Sequence, residues 1–259
     1  MLPGLPSRLV PVGVPIGVIS AIVTAVITEI YCHRYLAHRA FHIRRRPALF
    51  FDTYFRVIVG TDPESWAAVH RLHHRHADTP LDPHSPVQRP PLAIVMGTPV
   101  LFALAKRKLP ANQPAAWWIW GLRALLVTFY VVTCGPLQVL VMLSVHLVCY
   151  MGLGGLINTV GHLYGTKVHP EFPGFDLPLL TIPLLGHGYH NSHHAHPAAA
   201  RTGKLDPVWP LLRLGAALGQ VDLEGSRSGT GRVVKRRRPG RAPCCEASRS
   251  LVTAAPFTS

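Results

Sequence analysis

Sixteen histidines against twelve acidic residues set this 259-residue chain apart, and nine of the histidines fall into a pattern. His33-Arg-Tyr-Leu-Ala-His38 forms one box, His70-Arg-Leu-His73-His74 a second and His190-Asn-Ser-His193-His194 a third, while Asn158-Thr-Val-Gly-His162 adds a further pair. In the second and third boxes the rings sit at i, i+3 and i+4, one face of a helix. His33 and His38 stand five apart, about 140° around an ideal helix, so the first box needs a helix end or a distortion to converge. Neutral imidazole suits iron, copper, zinc and nickel. Nine rings on four elements are too many for one ion, whereas two iron ions with four or five nitrogens each would use the set and leave room for oxygen. Zinc is redox-inert, and its closed sites prefer four ligands. The Glu-x-x-His pairs of soluble carboxylate di-iron bundles do not occur in the sequence. One isolated histidine is ordinarily a surface or core residue. Four recurrences argue for a site.

The elements that must position these boxes read as membrane helices. Hydrophobic residues make up 48% of the chain and charged residues 15%, against about 25% charged in soluble domains. The apolar residues come in blocks. Residues 12–28 form a nearly uncharged stretch at the short limit for a span, with no A-x-A-like cleavage site before the first box to mark a leader. Residues 117–133 form a second span that starts on Trp117, Trp118 and Trp120, as an interfacial belt would. After the Cys134-Gly135-Pro136 turn, residues 137–156 return as the second arm of a hairpin. Residues 47–60 carry Asp52 and Arg56 and read as an interfacial helix. Residues 92–105 are too short to cross unaided. His146 lies mid-span, where a polar group is costly, and is expected to pack helices through a hydrogen bond.

The formal charge of +14 gathers beside the apolar segments, at Arg44-Arg45-Arg46 and Lys106-Arg107-Lys108, and in the run Lys235-Arg236-Arg237-Arg238. Such clusters anchor cytoplasmic loops to anionic lipid, and no nucleic-acid-binding motif accompanies them. Five cysteines form no C-x-x-C pair, which weighs against a structural zinc site and fits a reducing face. From Gly225 onward the chain is rich in Gly, Ser, Arg and Pro and is expected to be disordered and dispensable for catalysis.

The segments HRYLAHRAFH, HRLHHRHADTPLDPHSP, NTVGHLYG and GHGYHNSHHAHP resemble the signature boxes of integral-membrane fatty acyl desaturases, in the branch of the stearoyl-CoA desaturases and their small bacterial relatives. The resemblance runs from about Val12 to Glu224. It implies an all-α membrane protein, a transmembrane helical bundle with a cytoplasmic histidine-rich cap in residues 1–224, followed by a basic tail in 225–259. It also implies two irons held by His33, His38, His70, His73, His74, His162, His190, His193 and His194, with Asn158 acting through a water molecule. No catalytic side chain is implied beyond that metal centre. The reaction implied is oxygen-dependent insertion of a cis double bond into a long acyl chain. Electrons would come from ferredoxin or a cytochrome b5-type donor with its reductase. The same chemistry could instead hydroxylate an acyl chain or carotenoid, and a non-catalytic metal-binding paralogue is the alternative from another class. Three features depart from the family pattern. Three spans are present where relatives have four. Gln88-Arg89-Pro90-Pro91 replaces a Gly- and aromatic-rich stretch. His187 stands where relatives commonly carry Glu, and on a helix it would point toward the metals, as an added ligand or as a hydrogen-bond partner of one.

Overall fold

The structure is a computed structural model that describes residues 12–109 and 116–223. It is built of helices, with two strands of two residues each among the described residues. The expected tail, residues 225–259, lies outside them. Helix α1 (Gly13–Ile27) runs without a break into a π-helical segment, Thr28–Ala37. Helices α2 (Arg45–Ile58), α3 (Pro63–His76) and α4 (Pro91–Arg107) follow, then α5 (Trp117–Cys134), α6 (Pro136–Leu163), the short α7 (His190–Ala195) and α8 (Trp209–Ala217). Strand β1 (His42–Ile43) pairs antiparallel with β2 (Val221–Asp222).

Among the described residues, three helices are long and apolar enough to cross a bilayer: Gly13–Ala37, α5 and α6. They contain the three stretches read from the sequence, but two of them run further. The first span extends through the π-helical segment and α6 continues to Leu163, so the histidines that follow each apolar run stay on the same rod. Helix α2 is amphipathic and exposes Leu49 and Phe50, as an interfacial helix does. Helix α4 has 17 residues with Pro99 inside it, at the short limit for a span.

The packing that positions the site is the seam between α1 and α6. Gly13 N donates to Gln138 Oε1 (3.0 Å), Ser20 Oγ meets His146 Nδ1 (3.0 Å) and Thr28 Oγ1 meets Tyr150 Oη (2.9 Å). Residue numbers rise together on both sides, so the helices run parallel and end at the same level. His146 is therefore satisfied by a partner helix, since a mid-membrane polar group needs one. Where the backbones come closest a side chain has no room: a Cβ on Gly17 would stand 2.7 Å from the Met142 carbonyl oxygen. Gly152, further along α6, would meet nothing within 4 Å.

That contrast predicts the outcome of two alanine substitutions. Gly17→Ala should destabilise the protein by about 1–3 kcal/mol, as overpacking does, while Gly152→Ala leaves stability unchanged or raises it slightly. Unfolding in a mixed-micelle denaturant titration measures both. Equal effects of the two substitutions would refute the close α1–α6 seam.

Candidate metal centre

The first box converges because its helix is distorted. In a π-helical turn the backbone bonds run from i to i+5, and the His38 amide donates to the His33 carbonyl at 3.1 Å. Residues five apart are thereby stacked, and the His33 and His38 rings come to 4.8 Å between centroids. The same turn brings Arg34 Nε to Glu29 Oε1 at 2.8 Å. In the second box, Asp62 caps α3 by accepting from Ser65 N (2.7 Å) with Pro63 in the first turn, a favoured helix start. In the third, Asp176 accepts from Ser192 N (3.0 Å) and from Ser192 Oγ. Asn191 ties the strand of chain before it by donating to the carbonyls of His169, Phe172 and Pro173.

The nine histidines assemble into two groups rather than one. Nitrogens of His33, His38, His70, His74 and His193 lie within 4.8 Å of one another, and those of His73, His162, His190 and His194 form a second such set. Each H-x-x-H-H box is divided. Helix α3 gives His70 and His74, one turn apart, to the five-nitrogen group and His73 to the other. Helix α7 does the reverse, with His190 and His194 in the four-nitrogen group and His193 in the first. Helix α6 delivers His162, and a Cβ on the preceding Gly161 would meet the His190 ring at 2.7 Å. Only glycine lets the backbone lie against that imidazole.

Three carboxylates fix ring orientation. His33 Nδ1 lies 2.7 Å from Glu29 Oε2, His73 Nδ1 2.9 Å from Asp82 Oδ2 and His162 Nδ1 3.0 Å from Asp78 Oδ2. A ring that donates its Nδ1 proton to a carboxylate keeps a lone pair on Nε2. These Nε2 atoms face inward. His33 and His193 approach through Nε2 at 3.1 Å, His38 and His70 at 2.9 Å, His74 and His193 at 3.1 Å, and His162 and His190 at 2.9 Å. Among the described residues, the buried His73 Nε2 and His194 Nε2 have no hydrogen-bond partner.

Protonation does not resolve this crowding. Burial, then the neighbouring imidazoles, pushes the pKa of His70, His73, His190 and His193 well below the ordinary histidine value. Burial likewise lowers His38 and His194, and takes His74 down to about 3. These seven rings are neutral near pH 7, and one Nε2 proton on His193 cannot serve both His33 and His74. Converging lone pairs without donors are what a cation satisfies, so these residues fit a metal ion in each group.

Two site residues from the sequence stand elsewhere. Asn158 lies one turn before His162 and lines an apolar cavity of about 260 Å³. Val69, Phe102, Met151, Leu153 and Ile157 wall that cavity, which also reaches His70, His84 and His190. His187 is not on a helix with His190, since α7 begins at His190 itself. Its Nε2 instead lies 2.7 Å from Glu29 Oε2, so it serves a carboxylate that orients His33.

Sequence reasoning missed Glu29, Asp78 and Asp82. Glu29 carries a local signal, four residues before His33. Asp78 and Asp82 follow the second box but serve different helices, and nothing in the sequence pairs Asp78 with a ring 84 positions on. His84 lies in the turns after the second box. It stacks on His73 at 4.6 Å between centroids, burial takes its pKa down to about 4, and its Nε2 is buried without a partner among the described residues.

The family model for "Fatty acid desaturase" matches residues 9–220. The chain is 28% identical over 207 residues to "Delta-9 desaturase-like 5 protein" of Arabidopsis thaliana, covering 72% of this chain and 68% of that protein. It is 27% identical over 203 residues to "Delta-9 acyl-lipid desaturase 1" of the same plant (72% and 67%). Against "Acyl-CoA C20 Delta5-desaturase" of Anemone leveillei it is 27% identical over 211 residues (72% and 65%). The chain thus spans about two thirds of these relatives' length.

A carboxylate that holds a ligating ring typically contributes about 10–100-fold to metal affinity. Asp82 accepts from His73 Nδ1, Asp78 N and His84 N, all donors, so Asp82→Asn sets an amide N–H against another N–H. That variant should lose about 10–100-fold in affinity, and His73→Ala more. Metal titration of purified protein in detergent measures both. An Asp82→Asn variant with unchanged affinity would show that the carboxylate does not hold the ring in a working orientation.

Proposed function

The chain belongs to the fatty acid desaturase family, and from that premise we propose that it is an oxygen-dependent, di-iron desaturase placing a cis double bond in a long-chain fatty acyl substrate. The observation that carries the proposal is the apolar cavity whose wall includes rings from both histidine groups, His70 and His190. An acyl chain threaded there would present a methylene pair to the two groups. The overall balance is one saturated acyl chain, one O2, two electrons and two protons giving one unsaturated chain and two waters. No heme- or flavin-binding signal was found in the sequence, so the electrons come from a separate carrier, ferredoxin or a cytochrome b5-type protein with its reductase.

Two bound irons would supply the reduction of O2 and the oxidising power that amino-acid side chains lack. The residues of the chain do the rest. The nine imidazoles would be the ligands, with Asn158 acting through water from the cavity side. Glu29, Asp78 and Asp82 hold three of the rings with their Nε2 atoms inward. The apolar wall orients the chain and excludes water, which protects a reactive centre from side reactions.

The cavity and the two-group geometry also support a test on product. With iron, a reductant and O2, both an acyl-CoA and an acyl-lipid should be offered, because relatives of both kinds are found. Mass spectrometry should detect a monounsaturated product that requires O2 and disappears in His193→Ala. Hydroxylated chains as the main product would sink the desaturase reading and keep the di-iron one.

We place the histidine groups on the cytoplasmic side. The exposed Arg39 and Arg44–Arg46 lie beside the first box, and excess Lys and Arg marks the cytoplasmic face. Because α1 and α6 run parallel toward the histidines, the turn at Gly135 lies at the far end of α6. A cysteine placed at exposed Thr133, with other accessible cysteines removed, should react with an impermeant maleimide added outside intact cells. Reaction only after lysis would reverse the orientation.

A further inference from the structure

Glu29 is a carboxylate in the apolar first span, 3% exposed, with three donors on two oxygens. His33 Nδ1 and His187 Nε2 both lie 2.7 Å from Oε2, and Arg34 Nε lies 2.8 Å from Oε1. Arg34 is itself held by Asp206 through two bonds, at 2.7 and 3.1 Å, and by the Ala200 carbonyl at 2.8 Å. A buried carboxylate is costly unless paired and hydrogen-bonded, and this one is tied to three side chains from two distant parts of the chain. Among these contacts, only the one with His33 leads to a histidine of the five-nitrogen group. The four-nitrogen group is served by other carboxylates, Asp82 through His73 and Asp78 through His162.

We propose that Glu29 is a positioning residue for the five-nitrogen group alone, and that His187, paired with it, completes the acceptor that fixes His33. The inference rests on the reading of both groups as metal-binding. Because His33 gives its Nδ1 proton to Glu29, its Nε2 lone pair stays turned toward His38, His70, His74 and His193. All three partners of Glu29 arrive as donors, with Arg34 obliged to donate and His187 reaching Oε2 through Nε2. An amide in place of the carboxylate would put its own N–H against one of them. His187 also lies close enough to substitute for the carboxylate, with its ring centroid 5.0 Å from that of His33.

The test is metal stoichiometry and the cobalt(II) d–d spectrum of purified protein in detergent, neither of which depends on turnover. Wild type should bind two ions per chain. Glu29→Gln should bind the ion of the five-nitrogen group about 10–100-fold more weakly, keep the other ion and lose one component of the spectrum. The surviving ion shows that the variant is folded. The double variant E29Q/H187E, with a carboxylate returned from the opposite side, should recover most of the lost affinity. Retention of both ions with wild-type affinity in Glu29→Gln, or loss of both, overturns the proposal, and so does a double variant that binds no better than E29Q. Wild type that binds fewer than two ions would instead defeat the metal-binding reading on which the inference rests.

Discussion

A neutral imidazole that has given its Nδ1 proton to a buried carboxylate keeps one unmet need, the lone pair on Nε2. Here His33, His73 and His162 are fixed that way, and they meet six further rings whose nitrogens lie within reach of one another. Burial keeps the rings outside the spans neutral, so they cannot become donors by titrating. No arrangement of the remaining protons satisfies every nitrogen. Each group could therefore hold a cation, and the rest of the molecule serves to hold nine mutually unsatisfied rings in place.

Holding them takes rigid carriers. The π-helical segment is one, since its i to i+5 backbone bonds stack His33 over His38 and Glu29 over Arg34. Helix α6 is another, staying unbroken past its apolar run so that His162 shares a rod with the seam at Gln138 and Met142. Parallel packing of α1 and α6 brings both sets of ligands to one end. A displacement of one helix along the other would shear the two groups apart. The backbone contact at Gly17 and the side-chain bonds at Ser20 and Thr28 resist it at three levels.

The sequence disclosed the rings and the helices but not the way the rings are shared. Spacing at i, i+3 and i+4 put each H-x-x-H-H box on one face, and the i, i+5 spacing of the first box demanded a distortion, which the π-helix supplies. Division of α3 and α7 between two groups depends on how the helices cross, which local spacing does not encode. The carboxylates were hidden for a related reason. Asp78 serves His162 across 84 positions, a pairing that exists only once α3 and α6 are docked. Glu29 stands within one turn of its ring, but just past the apolar stretch of residues 12–28, where a single carboxylate carries no mark of its partner. His187 was read as if α7 began earlier, and the turns that precede His190 send its ring to Glu29 instead.

The two groups are unequal, and the inequality bears on where substrate meets the centre. Five imidazoles nearly surround an ion, while four leave more of its surface open. The open side has neighbours of a suitable kind. Asn158 and His84 line the same cavity wall as His190, and the buried His84 Nε2 has no partner among the described residues. A polar atom left unmet beside an apolar cavity is costly unless water or a small ligand completes it. The four-nitrogen group, flanked by these polar atoms, is thus the side better built to admit a small polar molecule. The five-nitrogen group, braced by Glu29, Arg34 and Asp206, is the side better built to stay fixed. A buried charge network holds the five-nitrogen half rigid, while the apolar cavity reaches both halves, at His70 and at His190.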